Sequence, residues 1–474
     1  MNLVKRNRIS LYLFIVFTVV LVWIFVLGTA LYIRGTQLLT ALPLTDAERQ
    51  SALAVYRAGQ PAMPRLHSYA PCAQYAPQPP SIAARSAVVI EAESGALLFA
   101  KNPDQSIPPA SLTKLVTIYT VMQAVERGEI GLTDTISPPS ASWAVNIPPG
   151  SSLMFLGKNQ QVSVAELILG MSVVSGNDAA LALAIHVAGS VPAFAARMNT
   201  AMQELGLENT YFEEPSGLSE NNRTTARDFA RFSAFYINKY PGHLRQFHAV
   251  REFSYPQKHN TLTGQPAIRQ KATNTLLSKL EGCDGLKTGF IYESGFNIAL
   301  TAQRNGIRFI AVILGGAGKT SKEGKLIREY NGIALIEWAF AHFSTVYTQD
   351  IPAGIPVVPV LGSRSSTRAV YPLIGTHHGT KGVFTVRQEQ GGQRGGTKPA
   401  LYPRIVLPDF LSAPINAGEK IGKLQYIAAA GNTEYIAAEF PLIAGRSIEK
   451  GWAPVWRYDA LALKFTRFIR RLLE

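Results

Sequence analysis

The stretch at residues 106–128, SIPPASLTKLVTIYTVMQAVERG, joins a proline-containing loop to an apolar helix. Apolar side chains recur at helical spacing and predict a helix over residues 112–126. Ser111 and Lys114 stand at its start, three positions apart, so both side chains leave the same face. Free N–H groups and the positive end of the helix dipole favour a negative charge there. The stretch alone is also compatible with an ordinary capping serine followed by a lysine.

Strand patterns lie on both sides of this helix along the chain. The segment AVVIEAESGALLFAKN at residues 87–102 predicts a β-hairpin, and NIALTAQRNGIRFIAVILGG at residues 297–316 predicts a second one. Helical patterns fill the middle and close the region, at residues 164–171, 178–188, 191–205 and 327–343. Strands at the two ends with helices between them predict one α+β domain.

The C-terminal part of the chain has a different sequence pattern. Residues 351–452 contain short β-rich runs such as KIGKLQYIA and TEYIAAEFPLIA, separated by Gly and Pro, which predict a small all-β domain. The segment QGGQRGG at residues 390–396 is interpreted as a loop. Residues 455–474 predict a basic amphipathic helix, which could lie in a membrane interface or pack on the β domain.

The N-terminal segment is the most apolar part of the chain. Residues 9–33 carry no charge and are long enough to cross a bilayer as a helix. Lys5, Arg6 and Arg8 precede them, which predicts a cytoplasmic N-terminus and an exported remainder. Residues 1–34 are therefore interpreted as an uncleaved anchor, with a cleaved signal as the alternative because GTA at 28–30 is a weak cleavage site. The Pro-rich residues 35–82 are interpreted as a semi-rigid spacer.

The composition bears on whether the protein binds nucleic acid or metal and whether it has a disulfide. The chain has 474 residues, a formal net charge of +14 and scattered basic residues without a nucleic-acid motif, so a solvated basic surface is favoured over nucleic-acid binding. The eight histidines have no zinc-ligand spacing, and we expect neither a metal nor a cofactor. The two cysteines, Cys72 and Cys283, could pair after export, and the sequence leaves this open. It makes no prediction of oligomeric state.

Two further motifs indicate that Ser111 and Lys114 in the first stretch are functional residues. Residues 175–177, Ser-Gly-Asn, interrupt the apolar segment MSVVSGNDAALALAIHVAG between two predicted helices. Residues 287–289, Lys-Thr-Gly, open an apolar strand in GCDGLKTGFIYESGFNIAL. Each motif is common by itself. In this order, with helix, helix-junction and strand contexts, the three together are the signature of active-site serine penicillin-recognising enzymes.

The chain resembles low-molecular-mass penicillin-binding proteins of the D-alanyl-D-alanine carboxypeptidase family, serine peptidase family S11. The resemblance rests on PASLTKL, GSSLMFLGKNQQVSVAELILGMSVVSGNDAA, LGLENTYF, TARDFA and DGLKTGF, and it covers about residues 83–345. Residues 351–452 resemble the family's β-rich domain more loosely, and the amphipathic tail resembles its membrane-associating helix. The implied fold is an α+β transpeptidase fold, an antiparallel sheet with helices on both faces, followed by a small all-β domain.

The resemblance implies catalytic roles for four residues. Ser111 would be the acylated nucleophile and Lys114 its general base. Ser175 would relay a proton to the leaving amine, and Asn177 would hold a substrate amide. A nucleophile beside a base is also the pair that attack on a peptide carbonyl requires.

The resemblance also implies a substrate-binding set around Gly289. Lys287 would supply positive charge, and Thr288 with Arg328 would hold the terminal carboxylate. The backbone N–H groups of Ser111 and Phe290 would form the oxyanion hole. One departure follows these residues, because Ile291 stands where the family often has a threonine. Substrate preference or turnover could differ for this reason.

The implied reaction is two-step acyl transfer on peptidoglycan. Ser111 would attack the penultimate D-Ala carbonyl of a pentapeptide stem, the terminal D-Ala would leave, and water would release the tetrapeptide. The expected partners are peptidoglycan stems, β-lactam antibiotics and membrane lipid. The expected location is the cell envelope, at the inner membrane, with the catalytic domain outside the cytoplasm.

Three alternatives stay open on the sequence. The first is a class A-like β-lactamase, because Glu214 in FEEPSGLSENNRTTARD resembles that class's glutamate loop, although Gly217 and Leu218 stand where an asparagine is expected. The second is a D,D-endopeptidase that uses the same residues. The third is a catalytically silent wall-binding scaffold, which the presence of Ser111 and Lys114 disfavours.

Overall fold

The computed structural model describes residues 2–59, 70–261, 264–347, 354–364, 368–375, 381–385, 401–430 and 433–474. Its α-helices are α1 Asn2–Leu38, α2 Asp46–Ala58, α3 Thr113–Glu126, α4 Val164–Val173, α5 Asn177–Ala188, α6 Val191–Glu204, α7 Ala226–Lys239, α8 Pro241–His243, α9 Leu276–Lys279, α10 Ser321–His342 and α11 Ala453–Leu473. Its strands are β1 Ala84–Glu91, β2 Leu97–Lys101, β3 Thr135–Ile136, β4 Val162–Ser163, β5 Glu252–Tyr255, β6 Ile268–Lys271, β7 Cys283–Ile291, β8 Gly295–Arg304, β9 Ile307–Gly316, β10 Phe343–Tyr347, β11 Val358–Leu361, β12 Ala369–Val370, β13 Pro372–Ile374, β14 Lys381–Thr385, β15 Leu401–Val406, β16 Leu411–Ser412, β17 Lys420–Ala430 and β18 Thr433–Ala444.

A central antiparallel sheet has the strand order β2-β1-β9-β8-β7. Both predicted hairpins are confirmed, as β1–β2 and β8–β9. Alternate residues of a strand point to opposite faces, so Val88 and Ile90 enter one core while Ala87 and Val89 enter another. The sheet is therefore buried on both faces.

Helices cover each face of this sheet. The core around Val88 contains residues from α3 to α7, and the core around Val89 contains Leu335 and Ala339 of α10. Because β1 and β9 hold the middle of the sheet, β7 is its outer strand on one side. The edge of β7 is where a cleft can form beside the start of α3.

The helices predicted in the middle of this region are confirmed, with small shifts at their ends. Helix α10 shows the largest difference at its N-terminal end, since it begins at Ser321 and not at residue 327. The Thr320 side chain caps this earlier start by accepting a hydrogen bond from the Glu323 N–H. Ser111 lies in a 3₁₀ turn, Ala110–Leu112, and α3 itself begins at Thr113. Ser111 therefore precedes α3 and does not cap it.

A second sheet, in the order β13-β18-β17-β15, forms the middle of the C-terminal region. The β-rich runs at residues 420–428 and 433–444 are confirmed as strands, and they form the long antiparallel pair β17–β18. The predicted C-terminal helix is confirmed as α11. The Gly-rich segment at residues 390–396 lies outside the described residues.

Part of residues 35–82, the segment predicted to be a spacer, has regular structure or packs on the rest of the protein. Residues 46–58 form α2, which starts with a capping box between Thr45 and Glu48. Residues 70–77 pack on the main body, since Cys72 is fully buried and the Trp338 indole donates to the Pro77 carbonyl at 3.0 Å. Local helix capping and apolar contacts outweigh the prolines there. Cys72 and Cys283 are not joined by a disulfide.

Helix α1 contains the one segment, among the described residues, that is long and apolar enough to cross a membrane. This segment is Leu11–Leu38, with a mean hydropathy of 2.8 in its most apolar window. Its large apolar side chains from Leu11 to Leu27 are exposed in the structure. The finding is consistent with membrane anchoring.

Candidate active site

Ser111 and Lys114 meet in a buried position at the N-terminal end of α3. The Lys114 ammonium nitrogen, Nζ, lies 3.0 Å from the Ser111 hydroxyl oxygen, Oγ. Lys114 is fully buried. The spacing predicted from the sequence therefore produces a direct hydrogen bond between the hydroxyl and the amine.

Two further contacts hold the Lys114 side chain in place. Its Nζ donates to the Asn177 Oδ1 at 2.6 Å and to the Ser216 carbonyl oxygen at 2.5 Å. Burial lowers the pKa of Lys114 from its usual range to about 7, and the charges of Glu214 and Asp178 oppose this shift. A substantial fraction of Lys114 is therefore neutral near pH 7, as a proton acceptor must be.

Ser175 and Lys287 form a second hydroxyl–amine pair across the cleft. The Lys287 Nζ donates to the Ser175 Oγ at 2.9 Å and to the Thr288 carbonyl at 2.8 Å. Burial lowers the pKa of Lys287, and the positive charges of Lys114 and Arg328 lower it further. A bound carboxylate would act in the opposite direction and favour the charged form of Lys287.

A cleft of about 790 Å³ opens above these two pairs. The predicted site residues that line it are Ser111, Ser175, Asn177, Thr288, Gly289, Phe290 and Arg328. Lys114 and Lys287 lie beneath it, at 0% and 1% exposure. The fold thus brings all nine predicted site residues to one place, from the 3₁₀ turn Ala110–Leu112, α3, the α4–α5 junction, β7 and α10.

Arg328 supplies a cation at one end of the cleft. Only 6% of the residue is exposed, and burial lowers the pKa of Arg328 to about 10, so the guanidinium stays charged at neutral pH. Within the described part of the chain, no protein hydrogen bond to this guanidinium is found. A buried cation that faces a cleft in this way is suited to an anionic ligand.

The three motifs fit together because Gly289 has no side chain. A Cβ atom on Gly289 would lie 2.9 Å from the Pro109 carbonyl oxygen and 3.0 Å from the Ser111 nitrogen. Asn297 ties the same region together, since it donates to the Pro108 carbonyl at 3.0 Å and accepts from the Gly315 N–H at 2.8 Å. Strand β7 can therefore approach the backbone of Ser111 closely.

Comparison with known proteins identifies the family. The family model Peptidase S11, described as D-alanyl-D-alanine carboxypeptidase, matches residues 73–318. The D-alanyl-D-alanine carboxypeptidase DacA of Haemophilus influenzae is 40% identical over 357 residues, which cover 74% of this chain and 83% of that protein. The chain belongs to the S11 family of D-alanyl-D-alanine carboxypeptidases.

Two further similarities extend over most of this S11 chain. The D-alanyl-D-alanine carboxypeptidase DacC of Escherichia coli is 33% identical, with 84% of this chain and 94% of that protein covered. The structure of penicillin binding protein 5 from Haemophilus influenzae has a TM-score of 0.65 and 33% identity, and covers 79% of this chain and 100% of that one. The transpeptidase fold expected from the sequence is confirmed.

The candidate site contains further residues whose supporting role the sequence did not reveal, among them Glu214, for which the sequence suggested a β-lactamase-like role instead. Glu214 accepts from the Ser216 N–H at 2.7 Å and from the Gly217 N–H at 2.6 Å, and Asn222 donates to it at 2.9 Å. The loop held in this way presents the Ser216 carbonyl to Lys114. Gly217 is needed in this loop because its φ of 85° favours glycine.

Two other supporting residues come from separate segments. The Thr273 hydroxyl lies 3.0 Å from the Thr288 hydroxyl and lines the cleft. Asp178, directly after the second motif, is fully buried and accepts from the backbone N–H groups of residues 154–156. Neither residue stands in a pattern that would reveal its role, because their contacts are made across the fold.

Asp178 leads to a prediction about stability. Replacing Asp178 by alanine would leave the buried N–H groups of Met154 and Leu156, and the partly buried one of Phe155, without their acceptor, at about 1–3 kcal/mol for each buried group. We expect the free energy of unfolding to fall by about 3 kcal/mol or more. Denaturant unfolding of the purified protein measures this, with Glu208→Ala as an exposed control. An equal midpoint for the two variants would contradict the role of Asp178.

Proposed function

We propose that this protein is a serine-type D-Ala-D-Ala carboxypeptidase that removes the terminal D-alanine from peptidoglycan pentapeptide stems and is acylated by penicillins. The observation that carries the proposal is the contact of the Ser111 Oγ with a buried Lys114 whose pKa is about 7. A base of this pKa beside a serine in a cleft is what acyl transfer at neutral pH requires. Membership of the S11 family supports the same reaction.

In the first step, Lys114 takes the proton of the Ser111 hydroxyl while Oγ attacks the penultimate D-Ala carbonyl. The backbone N–H groups of Ser111 and Phe290 stabilise the oxyanion, at about 3–4 kcal/mol for each donor in comparable sites. The proton then reaches the leaving amine through Ser175. The terminal D-Ala departs as a free amino acid, and an ester links the stem to Ser111.

The substrate's free carboxylate binds at the other end of the cleft. Arg328 and Lys287 provide positive charge, and Thr288 provides a hydroxyl that already contacts Thr273. Because a carboxylate favours the ammonium form of Lys287, binding of the correct chain end charges the site. Asn177 orients the substrate amide. Water then hydrolyses the ester with Lys114 as the base.

The geometry of Glu214 argues against the β-lactamase alternative. Its Oε2 accepts from the backbone and the hydroxyl of Ser216, and its Oε1 accepts from Gly217 and Asn222. Both oxygens thus stabilise the loop, whereas a deacylating glutamate must hold a water at the acyl ester. We therefore expect penicilloyl adducts to persist.

The proposed location is the inner membrane, with the catalytic region outside the cytoplasm. Helix α1 is apolar and exposed over residues 11–27, and Lys5, Arg6 and Arg8 precede this segment. Helix α11 adds exposed apolar residues, among them Phe468 and Leu472, beside basic ones. Such a helix is suited to contact with membrane lipid.

The proposal is tested by two measurements on purified protein. Incubation with a peptidoglycan pentapeptide should release D-Ala, and incubation with penicillin should give an adduct that peptide mapping locates at Ser111. A cross-linked dimer of stems in a parallel reaction distinguishes carboxypeptidase from endopeptidase action, and rapid turnover of nitrocefin would favour a β-lactamase. If neither D-Ala nor an adduct is formed, the proposed function is wrong.

The pKa of Lys114 predicts the pH dependence of acylation. Folding lowers this pKa from its usual range to about 7, so Lys114 is neutral above pH 7 and protonated below it. The second-order rate of acylation by penicillin should fall about tenfold for each pH unit below 7 and level off above it. Rapid mixing with a fluorescent penicillin measures the rate. A rate that does not change across this range would contradict Lys114 as the base.

A further inference from the structure

Helix α1 packs against the C-terminal helix α11 over its last three turns. Leu31, Gly35 and Leu38 of α1 are buried, at the spacing of one helical face, while the preceding turns are exposed. Ala462 and Leu463 of α11 lie in the same buried cluster. The contact is therefore made by one defined face at the end of α1.

Small residues bring the two helices very close. A Cβ atom on Gly35 would lie 2.0 Å from the Thr466 Oγ1 and 2.5 Å from the Ala462 carbonyl oxygen. The Thr466 hydroxyl donates to the Tyr32 carbonyl at 3.3 Å. Glycine at such a crossing allows direct backbone approach, which occurs in specific helix pairs. A larger side chain at position 35 would separate them.

A buried ion pair joins the same two helices. The Arg34 Nε lies 2.6 Å from the Asp459 Oδ1, and the Asp459 side chain has no exposed surface. The other carboxylate oxygen accepts from the Gly362 N–H at 2.9 Å, directly after β11. One carboxylate thus connects α1, α11 and the β-rich region. Removal of Arg34 would leave the buried Asp459 carboxylate without its hydrogen-bonded cation, while Arg368 still contributes positive charge nearby.

The chain that follows α1 is also built into the β-rich region. Arg446, just after β18, donates to the Pro43 carbonyl at 2.9 Å and lies 3.1 Å from the Glu48 carboxylate. A Cβ atom on Gly418 would lie 2.8 Å from the Ala52 carbonyl of α2. The N-terminal segment therefore covers this region from α1 through α2.

We propose that α1 is retained in the mature protein, and that α1 and α11 form one paired anchor, locked by Arg34 and Asp459, which fixes the β-rich region at the membrane surface. The exposed apolar residues Leu461, Phe468 and Leu472 of α11 then meet lipid beside the span of α1. Cleavage at residues 28–30 would separate the membrane span from the helix face that α11 contacts. The inference rests on the proposed membrane location and is independent of catalysis.

The first test is the mass of the untagged protein purified from carbonate-washed membranes. We expect the mass of the chain with residues 1–30 present. A mature form that begins close to residue 31 would overturn the retention of α1. Because this measurement uses the unaltered chain, it does not depend on how well a variant folds.

The second test examines the Arg34–Asp459 ion pair. It measures how fast trypsin releases a C-terminal tag from the full-length protein. Lys464, Arg467 and Arg470 are trypsin sites within α11, and cleavage at them requires local unfolding of the helix, which we expect docking on α1 to oppose. Arg34→Gln should release the tag at least about tenfold faster, because it leaves Asp459 buried without its partner. Arg49→Gln, which removes an exposed arginine from α2, is the matched control and should match wild type.

The double variant Arg34→Gln with Asp459→Asn completes the test. The single variant Asp459→Asn is measured beside it. If Arg34 and Asp459 act as a pair, the double variant should release the tag no faster than the faster of the two single variants. A catalytic fragment that resists trypsin equally in all forms shows that the rest of the protein is folded. Equal tag release from wild type and Arg34→Gln would overturn the lock.

Discussion

Ser111→Ala is expected to abolish the penicilloyl adduct and to lower D-Ala release by about 10⁴-fold or more, as loss of the nucleophile does in other serine hydrolases. The reason is that the hydroxyl which Lys114 contacts at 3.0 Å is the one whose oxygen would form the ester. Ser111 is partly buried at the cleft, and removing its single oxygen atom leaves the apolar core around α3 unchanged. Intact-mass spectrometry with penicillin and a D-Ala release assay measure the two effects.

A serine outside the cleft provides the matched control for this variant. Ser140→Ala removes an exposed hydroxyl from a 3₁₀ turn, and we expect it to form the adduct at the wild-type rate. Equal unfolding midpoints for the two variants would show that folding is unaffected. An adduct of full stoichiometry in Ser111→Ala would place the nucleophile elsewhere.

Lys114→Met has the second largest expected effect, a fall of about 10²–10⁴-fold in the acylation rate, the usual contribution of a general base. Methionine fills the buried space but cannot accept a proton. It also removes the donor to Asn177 and Ser216, so a change in binding of penicillin is measured separately from the rate. The concentration dependence of adduct formation separates the two quantities.

Lys114→Arg distinguishes a base from a fixed positive charge. Arginine keeps the charge but stays protonated at all accessible pH values. If Lys114 works as the base, this variant should be as slow as the methionine variant and should lose the pH dependence near 7. A near wild-type rate in Lys114→Arg would show that positive charge alone is needed.

Much of the fold could be predicted because its signals are local. The hairpin β1–β2 follows from two apolar runs around Glu93–Gly95, and β8–β9 from the turn at Asn305 and Gly306, since turn chemistry and strand alternation act within a few residues. Residues 46–58 form α2 although they precede a Pro-rich stretch, because a capping box at Thr45 and Glu48 stabilises the start of the helix. The start of α10 at Ser321 does not follow from the apolar pattern, because its cap at Thr320 lies before that pattern begins.

In the candidate site, too, some residues could be predicted from local sequence and others could not. Motif spacing and order predicted groups that line one cleft or lie directly beneath it, because each motif is a short run of nearby residues. Glu214, Thr273 and Asp178 could not be identified as supporting residues, because each acts on a segment that is distant in sequence. Their importance depends on which N–H groups and hydroxyls the fold brings to them.

By itself, the sequence determined the chemical groups of the site, the family resemblance and the class of fold, since these depend on residue identity, spacing and periodicity. Only the tertiary structure decided the pKa of Lys114, because that value follows from burial and from charges contributed by Glu214 and Asp178. It also decided how the chain ends meet. Arg34 and Asp459 are 425 positions apart, and no local pattern can encode an ion pair whose partners come together only when both helices pack.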